Sequence, residues 1–367
     1  MFQPKRIYSF LLPIALKASA LIFLVILCYQ AFTIYRDSEE SWQPQFPFRR
    51  QQDFTSLIKP HGGDRCLPPS LPDIPHDAKI LRNACKQVWS HPESPLRIGR
   101  VSAHFGDVQE HYQKALHTHA LHSVIHNNRL DVMCSPMVDS LWNKPAFILS
   151  LLLDEMLKPP SKRLEWFFWV DRDTLILDQC RPISSFLPFE EPALDEETSE
   201  GNDSDEEAAE KVGGEKHLIV TNDWNGLNNG VFLVRVNQWA VDLFSDINAF
   251  RYYRPNVSLP FTEQSAMEIV MKEPKFEPNV QVVPQYWFNA YPKASPGDFE
   301  TKTDMEGLKP YHARRGDFLL HFAGRGGRDK LINEWTDMLV PRGGLWLPEE
   351  VQRDNTRGIS NFWSRFG

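Results

Sequence analysis

Asp171 and Asp173 are separated by a single arginine and follow directly on the run Glu165-Trp166-Phe167-Phe168-Trp169-Val170. Side chains two apart on an extended chain share a side, so this spacing offers a hard cation two carboxylate ligands and lets it bridge to a diphosphate. A short acidic pair is also a common charged turn at a protein surface. Position separates the two readings. The apolar run is bulky enough to be buried, and carboxylates at its end are costly unless a cation or another partner meets them. The metal-site reading is preferred on that ground.

Three further segments carry residues suited to the same chemistry. In LIVTNDWNGLNNGVFLVRVNQWAVDLF, apolar strands flank residues 223–230, whose Asn and Gly content favours turns and close approach of backbone to a ligand. Asp223, Asn228 and Asn229 suit sugar hydroxyls, because amides and carboxylates donate or accept at fixed geometry, with a plain hairpin loop as the alternative. Phe261-Thr262-Glu263-Gln264-Ser265-Ala266 opens a helix-like stretch, so these residues either cap that helix or present Glu263 and Gln264 to a ligand. GDFLLHFAG is an apolar strand ending in His321, followed by RGGR. A lone histidine at a strand end is more often packed than ligating. Here Gly324, Arg325, Arg328 and Lys330 beside it form a plausible cradle for a diphosphate.

These residues need a scaffold, and the pattern between them alternates. RIGRVSAHFG reads as a strand running into a loop, followed by a helix through Tyr112, Ala115, Leu116, Leu121 and Val124. LDVMCSP reads as a second strand, PAFILSLLLDEML as a buried helix, and EWFFWVDRDTLILD opens as a third strand. Strands alternating with helices imply an α/β domain with a mostly parallel sheet, in which ligands bind beyond the carboxyl ends of the strands. Asp171 and Asp173 sit at such an end.

The totals agree with a globular chain. Its 367 residues and 42% hydrophobic content are enough for a buried core, and a formal net charge of -8 argues against a nucleic-acid partner. The five cysteines form no zinc-type cluster. Cys28 lies in an apolar run, leaving Cys66, Cys85, Cys134 and Cys180 as two disulfides of unassigned pairing or as free buried thiols.

Residues 1–17 read as a cytosolic tail and the start of an anchor, and 18–35 as a membrane-spanning signal anchor, because Lys5, Arg6 and Lys17 precede the apolar run and acidic residues follow it. A cleaved signal peptide fits less well, since Ala18 and Ala20 come before the strongest apolar stretch. Residues 36–94 have the composition of a stem, 95–345 that of a catalytic domain, and 346–367 that of a tail. Within the domain, the acidic run 190–216 reads as a disordered surface insert. Asn202 and Asn256 each start an N-glycosylation acceptor pattern.

Taken in order, WVDRDTLILD, NDWNGLNNGVFLVR, EQSA, WFNAYP and GDFLLHFAG resemble the motifs of glycosyltransferase family 34, fungal Golgi galactosyl- and mannosyltransferases and plant xyloglucan xylosyltransferases, over about residues 95–340. The resemblance implies a GT-A-type nucleotide-sugar-binding domain, Mn²⁺ as cofactor and retention of anomeric configuration. It places Asp171, Asp173 and His321 on the metal. Glu263 and Gln264 line the donor-sugar pocket, where the family more often has Asp-Gln, and Val101, Ser102 and Phe105 take the nucleotide base. Arg172 is placed with the donor-binding residues, and Asp223, Asn228 and Asn229 against donor sugar and acceptor. The expected partners are UDP-galactose or GDP-mannose, a glycan acceptor, the Golgi membrane and other glycosyltransferases in a complex. A non-catalytic subunit of the same fold and a metal-dependent phosphate-ester hydrolase are the rival classes. The first predicts decayed metal ligands, and the second a further ligand cluster that the sequence lacks near the motif.

Overall fold

A computed structural model describes residue 30 and residues 57–88, 96–188, 215–302 and 306–365. The chain divides into two units, Met1–Gln52 and Asp53–Gly367, and the fold described is that of the second. The expected anchor, apart from Gln30, and all but the last two residues of the acidic insert lie outside the described residues. Among the described residues no helix is long and apolar enough to cross a membrane.

In chain order the elements are β1 (Ile58–His61), α1 (Ile74–Val88), β2 (Ile98–Ala103), α2 (Glu110–Ile125), β3 (Arg129–Met133), α3 (Asn143–Met156), β4 (Trp166–Val170), β5 (Thr174–Ile176), β6 (Leu218–Asp223) and β7 (Gly226–Arg235). They continue with α4 (Gln238–Tyr253), α5 (Glu263–Val270), β8 (Val280–Val283), α6 (Pro296–Thr301), β9 (Leu319–His321), α7 (Arg328–Arg342) and α8 (Thr356–Trp363). Seven strands form one sheet in the order β1-β3-β2-β4-β7-β6-β8. Strand β7 runs antiparallel to both its neighbours, and the other pairings are parallel. This is the mixed α/β architecture with a mostly parallel sheet that the alternation predicts.

Strand β4 lies at the centre, and all five of its residues are buried. Its side chains alternate across the sheet. Phe167 and Trp169 pack into the core under α3, α4 and α5, while Trp166, Phe168 and Val170 pack into the opposite core with Ile183, Phe186 and Phe318. A strand covered on both faces reads as a continuous apolar run, which is why WFFWV shows no polar alternation.

Two expected boundaries are corrected. Strand β1 adds to the edge of the sheet beside β3, and α1 packs on α2, so residues 58–88 belong to the folded unit and not to a stem. Disulfides Cys66–Cys134 and Cys85–Cys180 bolt both sides of this segment to the domain. Arg82 of α1 donates to the carbonyl of Ile125 at 2.9 Å, and so caps the C-terminal end of α2. The presumed tail is likewise structural. Trp346 donates to the Leu177 carbonyl at 2.9 Å and is buried with Phe299 and Trp335, and Trp363 donates to the Phe186 carbonyl at 3.1 Å and is buried where α8 closes the second core.

A chain starting at Asp53 keeps the whole of the second unit and is the reference for denaturant unfolding. One starting at Leu96 loses a strand, a helix and both disulfides, and should lose at least about 4 kcal/mol. Equal stability of the two truncations would make residues 57–88 a mere tether.

Candidate active site

The backbone delivers Asp171 and Asp173 to one place for reasons that start in β4. Asp171 donates its N–H to the Gly230 carbonyl at 2.8 Å, one last bond to β7, and its own carbonyl accepts from the Thr174 hydroxyl at 2.7 Å, closing a tight turn. The chain then enters β5, which pairs antiparallel with β9 so that Thr174 faces His321. That short ribbon brings in a histidine remote in sequence. Ligand-type atoms of Asp171, Asp173 and His321 all lie within 4.8 Å of one another, with Asp173 and His321 buried. Two carboxylates and an imidazole are a donor set that fits a divalent transition ion.

The tautomer of His321 is fixed by what lies behind it. Its Nδ1 is 2.8 Å from Oδ1 of Asn289, and the Asn289 amide nitrogen donates to Thr221 Oγ1 at 2.8 Å and to Asn228 Oδ1 at 3.0 Å. With an acceptor oxygen on Nδ1, the ring carries its proton there and presents the Nε2 lone pair toward Asp173, 3.4 Å away. Gly230 is glycine for the same reason: a Cβ there would lie 2.2 Å from Cε1 of the His321 ring.

Positive charge completes the cluster. Lys144, at the start of α3, is 3.0 Å from Asp171 Oδ1 and 3.5 Å from Glu263 Oε1, and donates to Asn229 Oδ1 at 2.9 Å. Arg328, the first residue of α7, donates to Asp173 Oδ2 at 2.7 Å. Burial alone would lower the Lys144 ammonium, but Asp171 and Glu263 outweigh it and the net shift is upward, so the lysine stays charged. Burial pushes the Asp173 carboxyl up, yet hydrogen bonding and charge from His321, when its ring is doubly protonated, and from Arg328 hold it well below the ordinary carboxylate range. Glu263 goes the other way: burial, reinforced by Asp171, raises it despite Lys144. Its Oε2 is buried without a hydrogen-bond partner, which in a polar site marks a place for a ligand's donor group.

Glu263 is held in place by a strained backbone. Thr262, just before it, has φ 51° and ψ -118°, a region a β-branched residue enters only under constraint, at a cost of about 1–3 kcal/mol. The Thr262 side chain makes no capping bond, so the helix-cap alternative for this residue is not realised. Gln264 accepts from the Asn229 N–H at 3.2 Å and ties α5 to β7.

The hairpin residues are part of a hydrogen-bonded set. Asn228 donates to Asp223 Oδ2 at 3.0 Å and to the Tyr291 hydroxyl oxygen at 2.6 Å, and Tyr291 donates to the same Asp223 oxygen at 2.6 Å. Asn228, Asn229 and Gly230 lie in β7 and not in the loop, whose two residues are Trp224 and Asn225.

Other candidates stand further out. Val101 is buried in the sheet core, and the Ser102 hydroxyl donates to the Val170 carbonyl. Phe105 and Arg172 line one cleft with His104, Asp107 and Tyr112, where the Arg172 guanidinium lies 4.3 Å from the centre of the Tyr112 ring. Gly324 and Gly327, at φ 63° and 64°, shape the turn into α7. Arg325 donates to the Pro292 carbonyl at 2.7 Å. Lys330 is not brought to the cluster: one turn along α7 it faces Glu334 at 3.7 Å, largely exposed. Sequence reasoning passed over Lys144, Asn289 and Tyr291. Lys144 is one polar residue before an apolar helix, and WFNAYP enters only as one of the motifs of the family resemblance, with no role for its Asn289 or Tyr291.

With this geometry the chain can be placed among known proteins. The profile of the galactosyl transferase GMA12/MNN10 family matches residues 112–329, more than half of the chain, and the chain belongs to that family. The probable alpha-1,2-galactosyltransferase gmh1 of Schizosaccharomyces pombe is 25% identical over 219 residues, 55% of this chain and 59% of that protein. The probable alpha-1,6-mannosyltransferase MNN10 of Saccharomyces cerevisiae is 25% identical over 175 residues, 45% and 43% of the two chains. An alpha-1,2-galactosyltransferase of Schizosaccharomyces pombe is 25% identical over 231 residues, 59% and 56%. The chain thus spans about half the length of these relatives. Among solved structures, a glycosyltransferase involved in the glycosylation of the major capsid of PBCV-1 aligns with TM-score 0.44 at 18% identity, over 65% of this chain and 98% of that one.

Two substitutions test the site. Gly230→Ala should displace the His321 ring and weaken divalent-cation binding, measured by calorimetry, by about tenfold or more while the fold persists; unchanged affinity would remove His321 from the ligand set. Lys144→Met leaves the buried Glu263 and the half-buried Asp171 without their cation and should cost roughly 3 kcal/mol in denaturant unfolding without metal. A cost under about 1 kcal/mol would show that solvent already screens the pair.

Proposed function

We propose that this chain is a metal-dependent, retaining hexosyltransferase of GT-A type that moves galactose or mannose from a nucleotide sugar to a mannan-type glycan. The observation that carries the reading is the set Asp171, Asp173 and His321, the last two buried, joined through Lys144 to Glu263, whose second oxygen has no partner. Family membership supports the reaction class, and the galactosyl- and mannosyltransferase names of the relatives support a hexose donor.

Asp171, Asp173 and His321 would hold the ion, for which we favour Mn²⁺, and the ion when bound supplies Lewis-acid neutralisation of the donor's diphosphate. The protein's own groups do the rest. Arg328, with a half-exposed side chain beside Asp173, offers a guanidinium to the β-phosphate on which charge grows as the sugar leaves. Glu263, fixed by Lys144 and by the strained Thr262 backbone, accepts a donor-sugar hydroxyl at Oε2. Gln264, anchored on Asn229, lies beside it. The cleft of Phe105, Tyr112 and Arg172 suits the nucleotide. The acceptor hydroxyl then attacks from the face the diphosphate leaves, which gives retention without an enzyme nucleophile. UDP-galactose and GDP-mannose are the donors proposed.

A Golgi membrane location with the domain luminal is part of the same proposal; the charge bias around residues 18–35 supports the orientation, and two disulfides, which persist in an oxidising compartment, support the luminal side. Association with other Golgi glycosyltransferases belongs to the same proposal.

The test is turnover of UDP-galactose and GDP-mannose by the full chain, with Mn²⁺ and with chelator, beside Asp173→Ala. One donor should be consumed only with metal, and Asp173→Ala should lower kcat by about a hundredfold or more. Metal-independent turnover, or an active Asp173→Ala, overturns the metal-dependent mechanism. A folded chain that binds neither nucleotide sugar would instead be a scaffold.

A further inference from the structure

The tip of the β6–β7 hairpin carries a residue that neither the fold nor the site explains. Two-residue hairpin tips favour Asn, Asp and Gly, yet this one holds Trp224, 67% exposed to solvent. Neither Trp224 nor Asn225 adopts positive φ; Gly226, at φ 102°, makes the left-handed step. The turn therefore needs nothing from an indole.

Single exposed apolar residues are ordinary. Trp224 is not single. Its ring is braced edge-on by Tyr291, with centroids 5.3 Å apart and planes at 77°, and lies 5.8 Å from the ring of Tyr311. Tyr291 also faces His321, 5.9 Å between ring centres, so the indole stands one ring away from the metal triad. The hydroxyl of Tyr291 is spent on Asp223, the residue just before Trp224, so brace and platform are locked together from both sides. Beside the platform, Asp223 is half-exposed and Asn225 exposed.

A rigid aromatic face with a carboxylate and an amide at its edge has a definite complement. The face of an aromatic ring is electron-rich and meets polarised C–H groups, while carboxylate and amide meet hydroxyls in the plane of the ligand. A pyranose has that division, with C–H groups on its faces and hydroxyls round its rim. We propose that Trp224, buttressed by Tyr291 and Tyr311, is the platform on which an acceptor pyranose stacks, setting its hydroxyl toward the metal triad. This rests on the transferase reading for the identity of the second substrate.

The test uses the full chain, with binding of α-1,6-mannotriose followed by calorimetry in the presence of UDP and Mn²⁺, and hydrolysis of the nucleotide sugar to water followed without acceptor. Trp224→Ala should weaken mannotriose binding about tenfold or more, and Trp224→Phe should stay within about threefold of wild type. Both variants should hydrolyse the donor as the wild type does, with unchanged donor KM. Mannotriose binding by Trp224→Ala within about twofold of wild type overturns the platform, as does a wild type that does not bind it. If no donor is hydrolysed by any form while mannotriose binding still depends on an aromatic at 224, the platform stands and the transferase reading falls.

Discussion

Carboxylates at the end of a fully buried aromatic strand cannot be left alone. Asp173 is buried to 6% exposure at the end of β4's apolar run, and an unpaired charge there would cost several kcal/mol. Three cationic or ligating groups converge on the pair from separate parts of the chain: Lys144 from α3, His321 from β9 and Arg328 from α7. Each arrives through an element that also packs in the core. The β5–β9 ribbon has only three residues a side and serves to set His321 opposite Thr174. The glycine turn before α7 lets Arg328 reach back to Asp173. Lys144 follows Asn143, whose side chain accepts from two backbone N–H groups and donates to two carbonyls, pinning the loop before α3.

The same constraint explains why Glu263 behaves unlike its neighbours. Lys144 is shared between Asp171 and Glu263, and sits nearer the former. Asp173 has its own partners in His321 and Arg328, whereas Glu263 has half a cation and an orphan oxygen. Its raised affinity for a proton and the strained Thr262 before it are two expressions of one fact, that this carboxylate is held where the apo protein does not satisfy it. An Asp at this position would be shorter by one methylene; with Glu, the carboxylate spans the distance from α5 to Lys144.

How much of this was legible in the sequence follows from which interactions are local. The metal carboxylates were readable because WFFWV declares its own burial, and the α/β alternation because helix and strand periods are local properties. His321 is placed on the metal by the family resemblance alone; its own surroundings suggest a packed residue beside a diphosphate cradle, because nothing local links it to Asp173. Lys144, Asn289 and Tyr291 were missed because their roles exist only through pairings across many residues. The stem and tail boundaries failed for a related reason. Within residues 58–88, α1 is amphipathic, with Ile74, Ala78 and Cys85 on its buried side, but β1 is an edge strand with half-exposed ends, and what holds the segment to the domain is α2 and two disulfides whose pairing is a tertiary fact. The family profile also begins only at residue 112, which leaves this segment outside the common pattern.

The β6–β7 hairpin joins the buried and exposed halves of the site into one body. Inside the sheet it supplies Asn228, which bridges Asn289 behind His321 to Asp223 and Tyr291; at its tip it carries Trp224. Burial, with Asp223 beside it, pushes the Tyr291 phenol far above its ordinary value, so the hydroxyl stays protonated and keeps donating. Asp223 therefore always meets a donor there, and the indole's brace does not loosen with pH in any physiological range. The orientation of the imidazole that presents Nε2 and that of the indole that faces solvent are thus set by the same few side chains: Asn289, Asn228, Asp223 and Tyr291. A substitution in any of them has two consequences at once, one at the metal triad and one at the rim. Trp224 itself, making only ring contacts, is the member of the group whose loss leaves the hydrogen-bonded chain intact.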